Sequence, residues 1–146
     1  MRDALKKYAN DDQIDKRFDG LKAELVELDS RLKAISEKIG DQPLVASHPV
    51  YQYLARRYGL NIKAVLWEPE TVPDGAAMAD LGKVLTGHSA KWMIWEGEPA
   101  PESVEKLKGI GVESIVFDPC GNRPGDGDFL SVMEENVKTL EDTFGK

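Results

Sequence analysis

The sequence predicts an α/β fold, a four-stranded parallel sheet flanked by helices and preceded by one long amphipathic helix. Three observations carry that reading. Apolar residues in the first third recur every three or four positions. From residue 43 onward, short apolar runs alternate with helical stretches. The links between them are short, which favours right-handed crossovers and strands that run parallel.

The long helix comes first. Ile14, Phe18, Leu21, Leu25, Leu28, Leu32, Ile35 and Ile39 are spaced alternately four and three apart. That repeat is a narrow apolar stripe on one helix face, and Gly40 supplies a stop. A stripe of this length suits a coiled-coil seam. It also suits a single helix lying across a domain, and Phe18 and Gly20 fit that irregular surface better. Residues 1–42 are therefore expected to form a long linking helix, and 43–146 a separate α/β lobe.

Within the lobe, "PLVAS" reads as a strand and residues 49–58 as a helix opened by Pro49. "NIKAVLW" is the second strand, and residues 75–86 the helix after it, with "PDG" just before. "KWMIWE" is the third strand, followed by a helix over 100–109 that ends at "GIG". "ESIVF" is the fourth strand. A glycine-rich polar loop, "GNRPGDGD", leads to a final helix over 129–143. The strands are mostly continuous apolar runs, the pattern of strands buried on both faces.

Composition excludes several classes. With 41% hydrophobic and 31% charged residues among 146, the chain has the balance of a globular domain rather than a disordered one. A net charge of -7 argues against a nucleic-acid or anionic-membrane binder. The charge is uneven: residues 1–42 carry nine basic and ten acidic side chains, and the remainder ten and sixteen. Cys120 is the sole cysteine, so no internal disulfide forms. "MRDALKKYANDD" has no apolar core of the kind a secretion leader needs.

Parallel sheets bind ligands at the carboxyl ends of their strands. Those ends carry Ser47-His48, Trp67-Glu68-Pro69, Glu96-Gly97-Glu98-Pro99 and Asp118-Pro119-Cys120-Gly121. Imidazole and carboxylate on one edge make a reasonable ligand pair for a divalent cation, and the nitrogen suits zinc. His48 before Pro49 equally suits a polar turn or a helix cap, and Asp118 before Pro119 an ordinary turn. Glu68, Glu96 and Glu98 read as solvated, and His88 as a surface loop residue at the opposite edge. Cys120 is the best-placed extra ligand, although a free cysteine is commonly a small packing residue. Catalytic signatures are missing: there is no phosphate loop, Cys-x-x-Cys or His-Glu-x-x-His. Ser47 and His48 are adjacent and would point apart on a strand, which spoils a triad with Asp118. "GNRPGDGD" lacks the ligand spacing of a calcium loop.

"SHPVYQYLARRYGL" is similar to the segment that opens the C-terminal lobe of the zinc and manganese solute-binding proteins of ABC transporters, the cluster A-I family. The resemblance continues through "WEPETVPDGAAMADL", "WMIWEGEPAPESVEKLKGIGVESIVFDPCG" and "GDFLSVMEENVKTL". "DQIDKRFDGLKAELVELDSRL" resembles the family's helix that spans two lobes.

The resemblance implies capture of a transition metal between two lobes and its delivery to a membrane permease. Each lobe gives two of four ligand positions, and His48 and Asp118 match the third and fourth. His at the third position goes more often with zinc, Glu with manganese. A periplasmic or surface-anchored location follows from the family, as does a non-enzymatic role. The N-terminal lobe, the export signal and the His-rich loop of some zinc members have no counterpart here. Cys120 stands where an aliphatic residue is usual. A Met1 start in mid-helix fits an excised or truncated domain, in which two ligands would hold zinc or manganese weakly. A second reading is a homodimer or other self-association through the apolar stripe. A third, an enzyme with Asp118 and His48 as acid and base, finds no supporting feature in the sequence.

Overall fold

The computed structural model describes residues 2–9 and 13–145. Its elements run α1 (Arg2–Tyr8), α2 (Ile14–Ile39), β1 (Leu44–Ala46), α3 (Gln52–Tyr58), β2 (Ile62–Ala64), α4 (Gly75–Thr86), β3 (Trp92–Trp95), α5 (Pro101–Lys108), β4 (Glu113–Val116) and α6 (Phe129–Phe144). The four strands form one parallel sheet in the order β2-β1-β3-β4. The predicted fold class is the one observed.

The sheet separates two cores. Leu44 and Ala46 of β1, with Ile94 of β3 and Ile115 of β4, face Ile35 and Ile39 of α2, Tyr51 and Leu140 of α6. Val45, Met93 and Trp95 face the other way, onto Leu81 of α4 and Leu107 of α5. This alternation is the two-residue period of a strand. Leu81 and Met93 are fully buried, and side chains of that size each contribute roughly 1.5–3 kcal/mol by leaving water. Burial on both faces holds for the two central strands, β1 and β3. Edge strand β2 is largely exposed, and Glu113 of edge strand β4 faces solvent. Beyond β2 the ladder continues through Val65 N–H to Ala46 (2.9 Å) and Trp67 N–H to Ser47 (2.8 Å).

The expected long helix is α2, over the apolar stripe Ile14–Ile39, and the short α1 packs against it. Asn10, Asp11 and Asp12, of types that favour caps and turns over helix interiors, lie outside the described residues. The stripe of α2 divides. Leu28, Ile35 and Ile39 are buried, whereas Leu21 and Leu25 are about two-fifths exposed (42% and 41%). The second half of α2 is fixed to α6 by Arg31, which donates from Nε and Nη2 to the two Glu141 oxygens at 3.0 and 2.8 Å. It is tied to α3 by Asp29, which accepts from Arg57 and from the Tyr58 hydroxyl (2.8 Å).

Two local expectations change. Pro49 does not open α3: Val50 N–H turns back to His48 O (2.9 Å), and the helix begins at Gln52 after Tyr51. That turn sends the Tyr51 ring into the core, where its hydroxyl donates to Phe117 O at 2.7 Å. His48 is accordingly not the helix cap. His88, expected on the surface, is 5% exposed. Its Nε2 lies 2.7 Å from Leu44 O, giving the amino end of β1 a buried donor.

Candidate metal centre

In the order β2-β1-β3-β4, the chain leaves β1 toward one side of the sheet and β3 toward the other. The carboxyl ends of β1 and β3 therefore flank the topological switch point, where such sheets open a crevice. His48 follows β1 and Glu96 follows β3 directly. His48 Nδ1 lies 3.4 Å from Glu96 Oε1 and 3.9 Å from Glu68 Oε1, the latter from the loop after β2. The same nitrogen is 3.4 Å from the Trp67 carbonyl oxygen. Among the described residues, His48, Glu68 and Glu96 form the group of three side chains of metal-ligating type whose donor atoms lie within 4.8 Å of one another.

Local sequence explains the arrangement. Ser47 N–H still donates to Ile94 O (2.9 Å), so the β1 ladder is intact up to the residue before His48. The turn at Pro49 then lets the imidazole stand at the sheet edge, with a fifth of its side chain exposed (20%). His48, Tyr51 and Gln52 line a cleft of about 190 Å3 beside it. Glu96 is half-buried, Glu68 and Glu98 exposed. The expectation of a solvated side chain is revised for Glu96, whose carboxylate stands 3.4 Å from the imidazole, whereas Glu68 is exposed as expected, 3.9 Å away. Glu98 stays exposed, in keeping with its reading.

Asp118 follows β4, held from two sides. Its Oδ1 accepts from Cys120 N–H at 2.6 Å, closing the Asp118-Pro119-Cys120 turn. The Asn136 side chain of α6 accepts from Asp118 N–H (2.9 Å) and donates to Asp118 O (2.7 Å). Tyr51 lies between the two halves of the edge: burial, with Glu96 and then Asp118 adding repulsion, pushes its hydroxyl well above the ordinary phenol range. It therefore stays protonated and remains a donor to Phe117 O. Cys120 sits in the left-handed region (φ 54°) and aims Sγ at Asn122 O of its own loop, 3.8 Å away. Neither Cys120 nor Asp118 belongs to the three-donor group. Asn136, on α6, and Tyr51, just before α3, have no signature in sequence, so their part in shaping this edge emerges only from the fold.

Sheet order, flanking helices and the edge cluster define a class: a doubly wound parallel α/β domain with a polar crevice at the carboxyl ends of its strands. The family model described as zinc-uptake complex component A, periplasmic, matches residues 1–143, and the chain belongs to that family. A relative, the high-affinity zinc uptake system protein ZnuA of Bacillus subtilis, is 23% identical over 129 residues, covering 84% of this chain and 40% of the relative. The metal-dependent lipoprotein YcdH of Bacillus subtilis shares the fold with a TM-score of 0.76 at 21% identity, covering 97% of this chain and 57% of that one. The Zn(II)-bound ZnuA-like domain of Streptococcus pneumoniae AdcA matches with a TM-score of 0.74 at 26% identity, covering 99% and 58%. The chain thus spans well under two thirds of the length of these relatives.

Proposed function

We propose that this chain is the metal-binding C-terminal lobe of a solute-binding protein that captures zinc and passes it to an ABC permease. His48 and Asp118 are its two ligands, one from each side of the sheet edge. The remaining ligands come from a second lobe that closes over them, so the metal is cargo held in an interlobe cleft. The observation that carries this reading is His48 at the switch point, its ring flanked by carboxylates from two neighbouring strand ends. An imidazole with carboxylate partners suits zinc above the harder cations, and manganese remains a second cargo within reach of the same donors. The names of the relatives, which specify zinc uptake and Zn(II) binding, support the same metal. The role is binding and release, without catalysis, in a periplasmic or surface-anchored setting.

Two ligands with water completing the shell hold zinc weakly. Calorimetric titration of the chain with zinc tests the reading. Micromolar or weaker binding that disappears in both His48→Ala and Asp118→Ala supports it. Binding indifferent to both substitutions removes it.

One observation favours a second property. Leu21, Leu25 and Val26 are exposed along the first half of α2, and such a stripe promotes association. In the two-lobe reading that surface belongs to the lobe partner. In the isolated chain it pairs with a second copy.

A further inference from the structure

We infer that Glu96 is a positioning residue that holds His48 in the Nδ1–H tautomer and leaves Nε2 as the nitrogen that meets the metal. The inference deepens the proposed function and rests on it. Three oxygens converge on one ring nitrogen: the Trp67 carbonyl and Glu96 Oε1, each at 3.4 Å, and Glu68 Oε1 at 3.9 Å. A carbonyl and ionised carboxylates only accept hydrogen bonds. A bare Nδ1 would set its lone pair against all three, whereas a proton there makes every contact attractive. A neutral imidazole carries one N–H and one lone pair, so the lone pair falls on Nε2.

Glu96 stands apart among the three. The Trp67 carbonyl is neutral, and Glu68 is both further away and 64% exposed, where solvent screens its charge. The Glu96 side chain is 23% exposed and closer, so its charge acts on Nδ1–H through less water. A carboxylate on the far nitrogen of a metal-binding imidazole fixes the ring and raises the basicity of the ligating nitrogen. Glu96 therefore acts on His48 through the ring's far nitrogen, and Glu68 adds little.

The chain has two histidines, and they are assigned opposite tautomers. His88 directs Nε2 at the Leu44 carbonyl (2.7 Å), so its proton is on Nε2. Long-range proton–nitrogen NMR on the whole chain at a pH of about 8, where free imidazole is neutral, reads both at once. The expected spectrum has one Nδ1–H ring, His48, and one Nε2–H ring, His88. Glu96→Ala moves His48 toward a mixture of tautomers and weakens zinc binding by about 10- to 100-fold. Glu96→Gln keeps the shape but removes the charge, so it loses the Nδ1–H preference and the affinity nearly as far, whereas Glu96→Asp, which keeps the charge, recovers part of both. An unchanged His88 signal shows that each variant is folded. His48 as Nε2–H in the wild type overturns the inference. So do Glu96 variants that leave tautomer and affinity unchanged, and so does zinc shifting the Nδ1 resonance in place of Nε2. A wild type with the expected tautomers that takes up no zinc contradicts the proposed function while upholding the tautomer assignment, which keeps the two failures distinct.

Discussion

The side-chain amide of Asn136 grips the backbone of Asp118 at both ends, accepting from its N–H at 2.9 Å and donating to its carbonyl at 2.7 Å. Asn136 is 4% exposed and sits on α6, so the last helix of the lobe sets where the fourth strand's acidic residue stands. Asp118 is half-buried, so removing the amide leaves a donor and an acceptor with only restricted access to water. Asn136→Ala is expected to cost about 1–3 kcal/mol in urea unfolding. Asn136→Asp still accepts from Asp118 N–H but cannot donate to its carbonyl when ionised, and it places a second charge nearby. It should therefore be at least as damaging at neutral pH. An Asn136→Ala variant as stable as the wild type would show that the clamp is not needed.

His88 and His48 should separate stability from binding. His88→Ala deprives the Leu44 carbonyl of a buried donor and is expected to lower unfolding free energy by about 1–3 kcal/mol while zinc affinity stays unchanged. His48→Ala should do the reverse, abolishing zinc uptake with little change in the unfolding midpoint. Parallel denaturation and calorimetry on the two variants check this, and a loss of zinc binding in folded His88→Ala would contradict it.

Strand–helix alternation, the order of the elements and the placement of His48 and Asp118 at strand ends were legible because each follows from local apolar patterning. The company His48 keeps was not. Glu96 lies 48 positions further along the chain, and it reaches the imidazole only because β3 pairs with β1, a neighbour relation that periodicity does not encode. His88 was misread for a similar reason. A polar loop of ordinary composition becomes core where it packs against the amino end of β1. The turn at Pro49 likewise answers to a distant demand, the seating of Tyr51 against Phe117.

The Arg31–Glu141 pair gives a pH-dependent contribution with a definite sign. The guanidinium holds the Glu141 carboxyl below the ordinary glutamate range, chiefly by direct hydrogen bonding. A folded-state value lower than the unfolded one means stability that is fully present above about pH 4.3 and lost as pH falls through the folded value. With side chains 30% and 39% exposed, the pair contributes about 0.5–1 kcal/mol after solvent screening. Urea titrations of wild type and Glu141→Gln should differ by that amount at neutral pH and converge in acid. A gap that persists in acid once the carboxyl is protonated in both states would assign the effect to packing instead.

Cys120 occupies the left-handed backbone region with a side chain attached. Glycine adopts that conformation freely, and a non-glycine residue there costs on the order of 1 kcal/mol. Cys120→Gly is expected to be neutral to about 1 kcal/mol more stable in thermal unfolding, with zinc affinity intact. A clear loss of affinity in that variant would bring the thiol into the metal site.

Light scattering of the wild type and Leu25→Asp tests the apolar stripe on α2. A concentration-dependent dimer in the wild type and a monomer in the variant is the expected pair of results. Monomers in both would remove self-association.

X-ray absorption at the zinc edge of the zinc-loaded chain tests the central claim most directly. The account predicts a shell of nitrogen and oxygen at about 2.0–2.2 Å that carries the scattering signature of one imidazole and loses it in His48→Ala. A shell without imidazole, or a sulfur scatterer near 2.3 Å, would contradict it.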